Sequence, residues 1–113
     1  FKNRSTMKGV TVYFSLEQLV QIFNELYQLH KQEGDTKQDF YCGITHDLHE
    51  RNLGHKIDDS EIICHLNLSS FEDAKYVEAA LHRDGFNTGD KLNNGIESTK
   101  IVYMFRLREG VVI

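Results

Sequence analysis

At 113 residues, with 40% hydrophobic and 11% aromatic content, the chain has the size of one domain and enough apolar material for a core, which excludes a disordered or fibrous class. No apolar run approaches the about 20 residues of a membrane span, and the first residues lack a signal-peptide core, so a soluble, cytoplasmic protein with no membrane partner is expected. A net charge of −4 argues against a broad, sequence-independent grip on nucleic acid through many lysines and arginines, so any contact with DNA has to rest on a local basic site or a partner.

Because the sequence begins with Phe1 rather than Met, residues 1–6 are expected to be a tag remnant or the cut end of something longer, with a single domain over 7–113. The β-branched and aromatic run Val10-Thr11-Val12-Tyr13-Phe14 predicts a strand, extended backwards by Met7 and Lys8. Ser15 with Gln18 forms a capping box, and Leu16, Leu19, Val20, Phe23, Leu26, Tyr27 and His30 recur at helical spacing to about residue 32, with Gly34 as the stop. A strand follows over 40–44, then a helix over 48–56 opened by Asp47 and Glu50. Residues 61–68 alternate, placing Ile62, Cys64, Leu66 and Leu68 on one face and His65 and Asn67 on the other. Ser69 or Ser70 caps a helix over 71–84 that Gly85 ends; a polar loop with Gly89, Asn93, Asn94 and Gly95 leads to a last strand over 100–107. The expected fold class is α+β, an α/β sandwich with a small central β-sheet flanked by helices. Cys42 and Cys64 fall in predicted strands and read as reduced thiols rather than a disulfide or zinc site.

Several side chains invite a chemical reading. Arg51 and His55, one helical turn apart, project to the same side, where arginine can hold a phosphate with planar paired donors and histidine can orient a water or move a proton. Glu78 lies about 40° from Ala74 on the helical wheel, inside the stripe set by Phe71, Val77 and Leu81. A carboxylate there either pairs at the stripe edge with Lys75, His82 or water, or faces a cleft and holds a hard divalent cation such as Mg²⁺. Asp58, Asp59 and Glu61 are expected to face solvent.

The segment Phe40-Tyr41-Cys42-Gly43-Ile44-Thr45-His46-Asp47-Leu48, followed by Arg51 and His55, resembles the second-tyrosine motif of the GIY-YIG nuclease superfamily. Ala74-x-x-x-Glu78 with Leu81 is similar to the helix that carries that family's metal-binding glutamate, and Phe86-Asn87 resembles the aromatic-asparagine step after it. The likeness covers roughly residues 40 to 107. It implies metal-dependent hydrolysis of DNA phosphodiesters, with Glu78 holding one Mg²⁺ or Mn²⁺, Arg51 stabilising charge on the phosphate, Tyr41 and His55 placing or activating the attacking water, and Asn87 in support. The family's Gly-Ile-Tyr tripeptide, usually on a strand about a dozen residues before the second tyrosine, has no counterpart here. Tyr13 is the nearest candidate for its tyrosine, and specificity is expected to come from a homodimer or from sequence outside this chain. The alternative is the same fold as a nucleic-acid or protein interaction module without turnover.

Overall fold

The computed structural model describes residues 2–7, 10–89 and 95–113, with the backbone alone described for 2–7 and 10–13. The elements run β1 (Lys2–Met7), β2 (Val10–Ser15), α1 (Leu16–His30), β3 (Phe40–Thr45), α2 (Leu48–His55), β4 (Ile62–Asn67), α3 (Phe71–Arg83) and β5 (Ile101–Arg106). The expected α+β class holds: β3, β5 and β4 form a three-stranded antiparallel sheet in that order, and β1 and β2 form a separate antiparallel pair. Residues 2–6, expected to be a tag remnant or a cut end, form a strand together with Met7, which was expected to extend β2 backwards, because their backbone pairs with β2 from Lys2 opposite Ser15 to Met7 opposite Val10. Lys8, Asn93 and Asn94 lie outside the described residues.

Alternation along β3 and β5 divides the sheet into two faces. Phe40, Cys42, Val102 and Met104 point to a core closed by Leu16, Leu19, Phe23 and Tyr27 of α1 and by Ala74, Val77 and Leu81 of α3. Tyr41, Tyr103 and Phe105 point the other way and pack with Ile57, Leu48 and Val111 around α2 and the segments that flank it. α1 starts where predicted, since the Gln18 amide donates to Ser15 Oγ and the Ser15 amide to Gln18 Oε1, at 3.1 and 2.8 Å. It stops at His30, before Gly34, because Lys31 turns to an extended conformation; Gly34, at φ +86°, serves the following turn instead. The Tyr27 ring meets Phe40 and Phe86 edge-on at 5.0 and 5.6 Å, tying α1 to the sheet and to the loop after α3.

Two expectations change at β4. A bulge at Ile63 breaks the simple alternation, so Ile62 pairs with Phe105 and packs in the α2-side cluster, while Ile63 and Cys64 face the larger core. In the acidic cluster Asp58 and Asp59 face solvent as expected, Asp59 accepting from His49 and Asn52, whereas Glu61 is half-buried and takes a paired contact from Arg108 at 2.7 and 2.9 Å, which holds its carboxyl down at a pKa of about 2. Among the described residues no helix is long and apolar enough to cross a membrane.

Phe23 is fully buried at the centre of the α1 interface. Phe23→Ala should therefore cost about 3–5 kcal/mol, the range for emptying a phenylalanine site in a core. Urea unfolding monitored by circular dichroism measures this, and a loss under about 1 kcal/mol would mean that α1 is not anchored through this ring.

Candidate active site

The register between β3 and β5 sets Gly43 opposite Tyr103 and Tyr41 opposite Phe105. Tyr41 and Tyr103 therefore lie diagonally on one face, with ring centroids 6.1 Å apart. A β-carbon on Gly43 would come within 2.8 Å of both the Tyr103 hydroxyl and the Tyr41 ring. The glycine of Tyr41-Cys42-Gly43 is thus the space into which the two tyrosines converge.

Asp47 caps α2 by accepting from the Glu50 amide at 3.0 Å, and the helix brings Arg51 and His55 to this same face. The half-buried Arg51 lies beside both tyrosine hydroxyls and interacts with each. His55 sits deeper, wholly buried, with Nδ1 2.6 Å from the Val112 carbonyl and Nε2 2.7 Å from the Tyr103 hydroxyl. A carbonyl oxygen only accepts, so Nδ1 carries the proton, Nε2 is the acceptor, and Tyr103 donates to it. The Tyr103 oxygen keeps its remaining lone pair for a donor on the outer side. His55 is therefore separated from the cleft by the Tyr103 hydroxyl, which it holds from beneath.

Outside this buried layer lies a cleft of about 660 Å³, whose walls include Tyr41, Arg51, Glu78, His82, Asn87 and Thr88. It opens at the edge of β3, between α2 and α3. Asn87 reaches it through the main chain: its amide donates to the Phe40 carbonyl at 3.1 Å, and its carbonyl accepts from the Cys42 amide at 2.9 Å, so the loop after α3 runs alongside β3. Its side-chain oxygen accepts from the Gly89 amide at 3.0 Å. Gly89, at φ +70°, passes close to the Tyr41 ring. Glu78, on the wall formed by α3, is only 4% exposed.

Tyr41, Arg51, Glu78 and Asn87 are brought together, with His55 one layer below. The backbone of Tyr13 belongs to β2, which pairs with β1, and its side chain lies outside the described residues. The tyrosine that stands beside Tyr41 is Tyr103, on the strand paired with β3 but late in the chain. The sequence signal for it was the alternation Val102, Tyr103, Met104, Phe105, which separates the two faces without saying which strand is the neighbour.

Burial raises the pKa of Tyr41, with Arg51 opposing, and burial drives Tyr103 far higher. Both hydroxyls stay protonated near neutrality. Burial lowers His55, opposed by its bond to the Val112 carbonyl, so its imidazole is neutral. Among the described residues no group of three or more His, Cys, Asp or Glu gathers that could hold an ion. A single buried carboxylate on a polar cleft suits a hard cation that keeps most of its waters, as Mg²⁺ does, better than an ion that needs a closed set of protein ligands.

Gly43→Ala should push the tyrosines apart and cost about 1–3 kcal/mol as an overpacked site; near-ultraviolet circular dichroism and urea unfolding check both effects, and an unchanged tyrosine signal would refute the crowding. For His55, an unfolded chain takes up a proton near pH about 6.5 and the folded one only lower, so its contribution to stability is complete above that value and is lost as pH falls from there toward the folded-state value. Thermal melts from pH about 7.5 to about 5.5 should therefore show a larger fall in Tm for the wild type than for His55→Gln. Parallel profiles would mean that the histidine is not buried in its neutral form.

No protein-family model, curated protein or solved structure matches this chain, so the reading of its function rests on the geometry of the cleft.

Proposed function

We propose that the chain is a metal-dependent endonuclease that hydrolyses DNA phosphodiesters, as the GIY-YIG resemblance implies. One observation carries the reading: Tyr41 of β3, Arg51 of α2 and Glu78 of α3 line one cleft. A planar cationic donor, a phenol and a buried carboxylate around one opening form the set that a phosphodiester demands, because charge on the phosphate has to be met by fixed groups in a site poor in water.

Arg51 presents planar N–H donors to the phosphate oxygens and lies within reach of Tyr41, so a bound phosphate is held against the tyrosine. The Tyr41 hydroxyl orients the attacking water. As the new O–P bond forms, the water's proton moves toward the tyrosine oxygens, and the hydrogen bond from Tyr103 to His55 Nε2 gives it an acceptor inside the protein. The Val112 carbonyl holds the resulting imidazolium through Nδ1. Glu78 is the residue that would hold a divalent cation, which when bound supplies Lewis-acid stabilisation of phosphate charge. The net charge of −4 favours a second reading, a binding module without turnover, over which the convergence of these three side chains takes precedence.

Supercoiled plasmid should be nicked in Mg²⁺ or Mn²⁺ and left intact with chelator. Glu78→Gln and Arg51→Ala should each slow nicking by about 10²-fold or more, the scale for removing one fixed electrostatic group, while circular dichroism shows both variants folded. Cleavage that survives both substitutions would sink the nuclease reading, and DNA binding without cleavage by the folded wild type would favour the module.

A further inference from the structure

His82 is the cleft-lining ionisable side chain that the mechanism above does not use. It lies one helical turn beyond Glu78 on α3, a spacing that puts the two side chains about 5–6 Å apart at their β-carbons on the same side of the helix. Its Nδ1 is 2.9 Å from the hydroxyl of Thr88, which is itself buried at 4% exposure and also lines the cleft. That bond fixes the ring, and among the described residues Nε2 has no hydrogen-bond partner. An exposed imidazole fixed by a buried hydroxyl, with its second nitrogen unengaged, is built to present that nitrogen to something that enters.

We propose that His82 donates a proton from Nε2 to the leaving oxygen. The assignment rests on the nuclease reading and deepens it. The proton acceptor of the attack, His55 through Tyr103, belongs to the sheet face covered by α2, whereas α3 covers the opposite face. In-line displacement needs acceptor and donor on opposite sides of phosphorus, and the α3 wall supplies the donor. The balance closes: a bond forms between water oxygen and phosphorus, the bond from phosphorus to the leaving oxygen breaks, the water's proton passes through Tyr103 to His55, and the leaving oxygen takes the Nε2 proton of a doubly protonated His82, which is left as a neutral imidazole with Nδ1–H toward Thr88. The cycle resets when the proton on His55 returns through the tyrosine hydroxyls to water in the cleft and solvent re-protonates the exposed His82.

The test compares His82→Gln with wild type on two forms of one duplex oligonucleotide spanning a mapped cut. The first is ordinary DNA. In the second, sulfur replaces the bridging oxygen that the product ends identify as the leaving atom, and a thiolate departs without a proton. On ordinary DNA the variant should lose about 10²-fold or more in single-turnover rate, the lower end of a general-acid contribution, and on the sulfur-bridged DNA it should come within about threefold of wild type. Thr88→Val, which removes the bond that fixes the ring, should show the same pattern more weakly. Equal losses on both substrates would reduce His82 to a structural role, and an unchanged rate on ordinary DNA would also overturn the assignment while leaving the nuclease reading intact. A folded wild type that cleaves neither substrate with Mg²⁺ or Mn²⁺ would remove both.

Discussion

The antiparallel register of β3 against β5 is the constraint on which the rest of this molecule depends. It sets Gly43 opposite Tyr103, and with that pairing the two tyrosines share a face and crowd into the space a side chain would have filled. A slip of β3 by one residue would turn Tyr41 toward the α1 and α3 core and put Cys42 under α2, while Tyr103 stayed where it is. The slip is resisted on both faces, because each carries its own buried cluster. Central placement of β5 matters equally: it is paired on both sides, and its residues Val102 to Phe105 are all buried, so the face carrying Tyr103 has little freedom to shift.

Around that register the polar groups settle in layers. The deepest is His55, held by the Val112 carbonyl and accepting from Tyr103; above it come the tyrosine hydroxyls with Arg51; outermost is the cleft. A buried imidazole is costly unless both nitrogens are bonded, and here both are, with partners 57 and 48 residues away in sequence. The Val112 amide also donates to the His55 carbonyl at 2.9 Å, so this short terminal segment is fastened to the end of α2 in both directions. The direction of the hydrogen bonds follows from a single carbonyl that can only accept.

Much of the fold was legible because it is local. The Ser15 and Gln18 box, the Asp47 cap and the alternation of β5 each announce an element within a few residues, and element boundaries fell within one or two positions for β3, β4, α3 and β5. Strand pairing was not legible. Tyr13 was the natural candidate for a second tyrosine because it precedes Tyr41 in the chain, yet partner choice is set by which faces bury together, and β2 spends its backbone hydrogen bonds on β1. The bulge at Ile63 was hidden for a similar reason, since Ile62 and Ile63 look equally apolar and only the neighbouring strand decides which face each takes. Motif spacing pointed to Tyr41, Arg51 and Glu78, which share one cleft, but not to the burial of His55 beneath it, because spacing along a helix gives direction and not depth.

The charge of the chain takes a different meaning once its ion pairs are known. Asp35 is held by Arg106 at 2.7 Å, Glu61 by Arg108 at 2.7 Å and Asp59 by His49 at 2.8 Å, so these carboxylates are spent on tying separate segments of the chain together. Arg106 and Arg108 are tied up in the same contacts and are poor candidates for gripping a phosphate backbone. Arg51 stands apart, because its neighbours are two protonated phenols, which accept hydrogen bonds from a guanidinium without cancelling its charge. A local field of that kind selects an anion at one point rather than along a surface. Under the proposed nuclease function, DNA would be recognised through the fit of one phosphate to one cleft, with a weak dependence on salt because few phosphates are neutralised.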